Sequence, residues 1–185
     1  MSNTIFIVPE TEDIYNLMSN KMASNYEARS VDIFFNVRPF MLLGHLNSID
    51  DLTYMIPLGF RTYAPPGADM ILIPRSSSGN ISKLPPTLDD PPYMETLKEN
   101  NVQLYDASCI QLANTIGYID WDYRNEWKGL VRTNRDIMID PSRAYLQGVP
   151  MEPSQFKFKI VKSIDEVPKY LIDTKRGEKG FGSTG

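Results

Sequence analysis

Ile110-Gln-Leu-Ala-Asn114-Thr-Ile-Gly117-Tyr-Ile-Asp120-Trp-Asp122-Tyr123-Arg-Asn-Glu126 is the stretch on which the reading of the fold turns. Cys109 to Asn114 alternates apolar and polar residues, the period of a strand whose side chains point to opposite faces. Asn114 to Gly117 has the composition of a tight turn, and Tyr118-Ile119 resumes a strand. Strand, turn and strand in so few residues predict a hairpin, and so an antiparallel, β-rich chain. Asp120 leaves that second strand where it could point into a pocket. An isolated acid at a hairpin tip is otherwise simply solvated.

Working outward, the same short pattern recurs. Val31 to Val37 alternates loosely, Met70-Ile-Leu-Ile73 is a short apolar run, and Phe156-Lys-Phe-Lys-Ile-Val161 alternates again. Many short strands punctuated by Pro and Gly predict a sandwich or barrel. Helical signal is confined to residues 11–23, where Thr11 can cap and Ile14, Leu17, Met18 and Met22 share a face, and to one or two turns at Tyr93–Glu99. Residues 79–101, with Pro85-Pro86, Pro91-Pro92 and Asp89-Asp90, read as a loop or insertion. The glycine-rich 175–185 reads as a mobile arm. No internal repeat is visible.

The chain has 185 residues and a formal net charge of −4. That length suits one domain with its own core. A single Cys excludes an internal disulfide framework, and the acidic balance argues against bulk nucleic-acid binding. An anionic small molecule stays open, because a few local donors can hold it whatever the net charge. No run approaches the length of a membrane helix, and the N-terminus lacks a basic n-region. The expectation is a cytoplasmic or nuclear protein, not secreted, with no nucleic-acid or membrane partner.

Three further segments could carry chemistry. Pro74-Arg75-Ser76-Ser77-Ser78-Gly79 sets hydroxyls beside an Arg at a strand end, a cradle for phosphate or an ordinary polar turn. Arg176-Gly-Glu-Lys-Gly180-Phe181-Gly182-Ser183-Thr184-Gly185 combines close-approach glycines, hydroxyl donors, a guanidinium and one aromatic face. Its last six residues match G-x-G-x-x-G, but a dinucleotide site needs a helix to follow. A tail without fixed structure is the plainer reading. His45 is the only histidine, so a zinc site is not expected. Cys109 has no recognisable base nearby and suits a core position.

In order along the chain, these segments resemble the trimeric deoxyuridine triphosphatases (dUTPases). The family's second motif matches Arg75-Ser76-Ser77. The third matches Asn114 through Arg124, and the fifth matches Arg176 to Gly185 without a gap. Ile56-Pro-Leu-Gly59 and Pro65-Pro-Gly67 resemble what precedes the second motif. The first motif survives as Asp32-Ile33 within Arg29-Ser-Val-Asp32-Ile33. For the fourth, Ser142-Arg143-Ala-Tyr-Leu-Gln147 fits with one extra residue, and Gln155 is a second candidate for its Gln. Asn125 stands where the family has Gly, an exchange that a positive φ tolerates. The resemblance runs from about Ala28 to the C-terminus.

The resemblance implies an all-β fold, a distorted β-barrel or jelly roll with one or two short helices. It divides the chain into a single domain over residues 1–174, with 79–108 as an insertion, and a closing arm over 175–185. It implies hydrolysis of dUTP to dUMP and pyrophosphate by in-line attack of water on the α-phosphorus, with Asp120 activating the water. Mg2+ would bridge the phosphates, with Asp32 acting through water. Arg75, Ser76, Ser77 and Gln147 would serve the phosphates. Asn114, Gly117, Tyr118 and Ile119 would read uracil, and Tyr123 would pack under the deoxyribose. Arg176, Phe181, Gly182, Ser183 and Thr184 would close over the site. A homotrimer with sites shared between subunits is implied as well. The insertion is expected to be a lid rim or docking surface. Two rivals stand beside this reading: a dUTPase-shaped binding protein that has lost rate, and a dCTP deaminase relative. The latter is disfavoured because Lys128-Gly-Leu130 lacks the Glu that the deaminases carry.

Overall fold

Short alternating segments become short strands. The computed structural model describes residues 3–23, 29–44, 52–75, 79–83, 105–134, 136–174 and 176, and for 23, 79–83 and 105–109 the backbone alone. In chain order these hold β1 (Thr4–Pro9), α1 (Glu12–Ala23), β2 (Val31–Ile33), β3 (Phe40–Leu42), β4 (Tyr54–Pro57), β5 (Phe60–Tyr63), β6 (Met70–Pro74) and β7 (Gly79–Lys83). There follow β8 (Tyr105–Leu112), β9 (Gly117–Ile119), β10 (Lys128–Thr133), β11 (Ile137–Ile139), β12 (Leu146–Pro150) and β13 (Lys157–Ile160), then a 3-10 turn at Ile164–Glu166 and α2 (Lys169–Ile172).

The strands form four sheets, ordered β13-β1-β5, β4-β10-β8-β7, β11-β3 and β2-β12-β6-β9. The expected all-β class holds, as open sheets around a common core rather than a closed barrel. Period-2 burial explains the arrangement. In β12, Leu146, Gly148 and Pro150 are buried while Gln147 and Val149 are half-buried. In β10, Gly129, Val131 and Thr133 are the buried set. The inward residues meet in one cluster that includes Ile33, Phe35, Leu58, Phe60, Trp127 and Leu146. Trp127 satisfies its indole N–H on Thr62 Oγ1 at 3.0 Å, so the largest core side chain leaves no polar atom stranded.

The N-terminal segment belongs to this core. β1 runs parallel to β13 and antiparallel to β5. Ile5 and Ile7 are completely buried. A β1 buried on both sides reads from sequence only as a brief apolar run, which is why its partner was not visible. β13 closes the sheet as an edge strand with Lys157 and Lys159 exposed, charges that discourage pairing with another chain. Helix α1 follows its sequence signals. The backbone N–H of Ile14 donates to Thr11 Oγ1 at 3.3 Å, and Ile14 and Met18 are buried. Gly59, at φ +71°, joins distant segments: its N–H donates to Glu126 Oε1 at 2.9 Å and its carbonyl accepts from Glu10 at 2.7 Å. A Cβ there would stand 2.6 Å from the Asn36 side chain, so the turn needs glycine twice over.

Three expectations are corrected. The hairpin expected across Asn114–Gly117 does not form: β8 pairs with β7 and β10, whereas β9 pairs with β6, so the turn carries the chain from one sheet to another. Residues 79–101 do not begin as loop: Gly79–Lys83 pairs antiparallel with Tyr105–Cys109, so the chain leaves and re-enters here on a β-ladder. Asn80-Ile-Ser-Lys83 is too short and polar to announce a strand by its own pattern, and long-range pairing decides it. Residues 84–104, including the helical turns expected at Tyr93–Glu99, lie outside the described residues. The positive φ expected at Asn125 is absent. Among the described non-glycine residues that conformation belongs to Thr115, at 65°, in the β8–β9 turn. Asn125 Oδ1 instead accepts the N–H of Glu126 at 2.8 Å.

Candidate active site

The sheet β2-β12-β6-β9 positions nearly every described candidate. Gln147 lies opposite Asp32 on one side and Ile73 on the other. Directly opposed residues share a face, so Asp32 and Gln147 stand side by side on the half-buried face of the sheet. Arg75 follows two residues after Ile73, on that same face, and its backbone N–H donates to the Tyr145 carbonyl at 3.0 Å. Its guanidinium meets Asp32 at 3.0 Å. Asp32, Arg75 and Gln147, one residue from each of three motif segments, are thereby brought together. Gln155 is exposed in the turn before β13, its N–H on the Glu152 carbonyl. Beside Arg75 lies a cavity of about 350 Å³. Ser76 and Ser77 fall outside the described residues.

The third motif sits at the other end of the sheet. β9 pairs with β6 so that Met70 opposes Ile119 and Leu72 opposes Gly117. Gly117 is buried, and a Cβ would come within 3.0 Å of Leu72 Cβ. Asp120, immediately after β9, lines a cavity of about 90 Å³ with Tyr118, Ile119, Tyr123, Lys128 and Arg176. Asn114 is exposed in the turn before β9, outside that lining. Tyr123 is buried and its hydroxyl donates to the Glu126 carbonyl at 3.1 Å. Burial pushes its phenol pKa up. Arg176 forms an ion pair with Asp120, lies 3.7 Å from Asp122, and sets its guanidinium 5.4 Å from the Tyr123 ring centre. Phe181, Gly182, Ser183 and Thr184 lie outside the described residues.

Strand geometry separates the two clusters. Asp120 adjoins the Met70 end of β6 and Arg75 follows its Pro74 end, so the five residues of β6 stand between them. That is roughly 15 Å of strand. One phosphorus cannot touch both within a single chain.

Three side chains missed from sequence shape this site. Asp69 Oδ1 accepts the Trp121 N–H at 2.8 Å, fixing the turn after Asp120. It also accepts from the Tyr118 hydroxyl, which raises that phenol's pKa. Lys128 lines the same small cavity as Asp120. Arg124 is 3% exposed. Its guanidinium donates to the carbonyls of Leu171 (2.8 Å), Trp121 (2.6 Å), Tyr123 (3.2 Å) and Ala64 (3.5 Å). Burial lowers its pKa but leaves it a cation, satisfied by carbonyls. Arg124 therefore staples the Asp120 loop to α2 and to the strand before Pro65. Only Arg124's place inside the third motif hinted at this. Replacing Arg124 with Met should cost about 3 kcal/mol, as charged hydrogen bonds are lost and carbonyls are left buried. The urea midpoint at constant slope reads this, and an unchanged midpoint would mean the loop is held elsewhere.

A larger cavity, about 860 Å³, lies between Pro65-Pro66, Trp121 and α2, but among the described residues it is lined by Asp122 and Asp173 and by no cation. It is poorly suited to an anion. Among the described residues no three His, Cys, Asp or Glu converge on a metal position, and no helix is long and apolar enough to cross a membrane.

No family model matches the chain. The deoxyuridine 5'-triphosphate nucleotidohydrolase of Gamma-proteobacterium EBAC31A08 is 31% identical over 137 residues, covering 71% of this chain and 73% of that protein. The enzyme of the same name from Fusobacterium nucleatum is 27% identical over 157 residues, 84% of this chain and 82% of its own. The crystal structure of dUTPase from Streptococcus mutans covers 74% of this chain and 83% of its own at 16% identity, with a TM-score of 0.41, a likeness too slight to bear on the site. A 31% match spanning 73% of its relative, on a β-rich chain in which Asp32, Arg75 and Gln147 meet on one sheet face, places this protein in the deoxyuridine 5'-triphosphate nucleotidohydrolase (dUTPase) family.

Proposed function

We propose that this protein hydrolyses dUTP to dUMP and pyrophosphate, with Asp120 orienting a water for in-line attack on the α-phosphorus and taking its proton. The observation that carries this is the position of Asp120 at a small cavity walled by β9 and Tyr123. Among the described strands β9 is the edge of its sheet, bonded to β6 on one side only. The other side of its backbone offers the donors and acceptors that uracil's N3–H and carbonyls need. Cytosine would present the wrong pattern and leave buried groups unpaired. Thymine's extra methyl would press on the closely packed backbone at Gly117. Tyr123, fixed by its hydroxyl bond to Glu126, would pack under the deoxyribose.

Asp32, Arg75 and Gln147 would serve the phosphates in a site completed by another chain, because the separation along β6 keeps them from their own Asp120. The homotrimer implied by the resemblance supplies such a neighbour. Arg176, now on Asp120, would move to the triphosphate and free the carboxylate for water, while Phe181, Gly182, Ser183 and Thr184 close the cavity. That role treats residues 1–174 as the catalytic domain and 175–185 as its closing arm. Mg2+ fits a donor set of one carboxylate beside a phosphate seat: it would be held by phosphates and waters, with Asp32 bonded to a water. When bound, it supplies neutralisation of the leaving pyrophosphate's charge.

Purified protein given a panel of deoxynucleoside triphosphates, with and without Mg2+, should release pyrophosphate from dUTP at least about 100-fold faster than from dCTP or dTTP. Ammonia from dCTP would instead assign a deaminase, and tight dUTP binding without turnover would assign a binding protein.

A further inference from the structure

We infer that Asp69, in the segment that leads into β6, is a positioning residue for Asp120: it holds the peptide that follows Asp120 and so sets the direction in which that carboxylate points. This rests on the reading of Asp120 as the water-activating group and extends it to a side chain outside the motif segments.

Asp69 is itself held from both sides. Before it, Pro65-Pro66-Gly67-Ala68 has the form of a type II turn, with Gly67 at φ +83° and the Ala68 N–H on the Pro65 carbonyl at 3.0 Å. After it, Met70 enters β6 paired with both Ile119 and Pro150. The Asp69 carbonyl accepts the Met151 N–H at 2.9 Å. The register that pairs Met70 with Ile119 sets Asp69 across from Asp120, one step past the end of the ladder. Its half-buried side chain is thereby placed at the start of the Asp120 loop.

The peptide between Asp120 and Trp121 is fixed at both of its polar ends. Its N–H donates to Asp69 Oδ1 at 2.8 Å, and its carbonyl accepts the Tyr123 N–H at 3.1 Å. The backbone ahead of it is held by the ladder up to Ile119. A residue between two fixed peptide planes has little freedom left in φ and ψ, so the Cα–Cβ bond of Asp120 takes one direction. The Asp69 carboxylate also accepts the Tyr118 hydroxyl. Tyr118 and Asp120 are two residues apart and both line the small cavity. Tyr118 is 56% exposed, so this bond stands in for packing and ties down the aromatic wall beside Asp120. Without Asp69 the peptide would keep Tyr123 on its carbonyl and rock about that contact. A displacement of about 1 Å at a reacting group costs on the order of 100-fold in rate.

The test uses the full chain carrying Asp69→Ala, Asp69→Asn or Asp69→Glu. Asp69→Ala should lower kcat for dUTP about 30-fold or more while KM stays within about threefold, the pattern of a misaimed catalytic group. Asp69→Asn keeps an oxygen that accepts the Trp121 N–H, and should return kcat to within about threefold of wild type. Asp69→Glu keeps the charge but moves the oxygens by one methylene. It should be slow as well, and it decides the matter if Asp69→Ala does not fold. In the Asp120→Asn background Asp69→Ala should cost less than about threefold more, because the group it aims is gone. Wild-type kcat in Asp69→Glu, a loss in Asp69→Asn as large as in Asp69→Ala, a loss that falls on KM, or a full further loss on top of Asp120→Asn each overturns the inference. If the wild-type protein turns over no dUTP, or Asp120→Asn loses nothing, the reading of Asp120 fails on its own. Amide hydrogen exchange at Trp121 then still decides the role of Asp69. Faster exchange in Asp69→Glu but not in Asp69→Asn supports its hold on that peptide, and exchange equal to wild type in both overturns it.

Discussion

Asp120→Asn is expected to bind dUTP at least as tightly as the wild type and to release pyrophosphate about 10³-fold more slowly, the contribution of a positioned general base. The amide keeps the shape of the carboxylate and can still hold a water, but it cannot take the proton as the phosphorus is attacked. Binding should not suffer, because removing a negative charge beside a triphosphate relieves repulsion. Arg176 loses its ion-pair partner in this variant and keeps Asp122 within 3.7 Å, so the arm retains an anchor. Single-turnover pyrophosphate release, with affinity measured separately, separates the two effects. Turnover near the wild-type rate would remove Asp120 from its assigned role.

The second large effect comes from mixing two defective chains. Arg75→Ala deprives the phosphates of a guanidinium and leaves Asp32 without its 3.0 Å partner. Asp120→Asn disables water activation. If each site draws Arg75 from one chain and Asp120 from another, neither variant works alone. Random co-assembly should then return roughly a quarter of the sites to activity, those that draw both intact residues from different subunits. The geometric ground is the length of β6 between the two clusters. Co-expressed variants carrying different tags, purified as mixed assemblies, provide the material. Mixed assemblies as inactive as their parents would show that both residues must come from the same chain, against the strand separation.

The third motif was legible because its chemistry is local. A turn at Asn114–Gly117 and an acid straight after a strand are properties of neighbouring residues, and β8 ends at Leu112 and β9 begins at Gly117; that the two strands do not pair with each other was not local, because each finds its partners in a different sheet. Helix α1 was legible for the same reason, since a cap and a 3.6-residue period act within the helix. Asn125 shows the limit of residue-type reasoning. Asn occurs both at positive φ and as a side chain that captures a nearby N–H, and the second use won.

From the sequence alone came the β-rich class, because alternation and turn chemistry act over short distances; the order of the motifs and the choice of Asp120 came from the resemblance to the family. The tertiary structure alone decided that Thr4–Pro9 joins the core, that Gly79–Lys83 is a strand and that Arg124 is buried as a staple. Each of these depends on a partner far along the chain, such as Lys157 for Thr4 or Cys109 for Gly79. Pairing and burial reward a residue for what packs against it, and no local pattern encodes that.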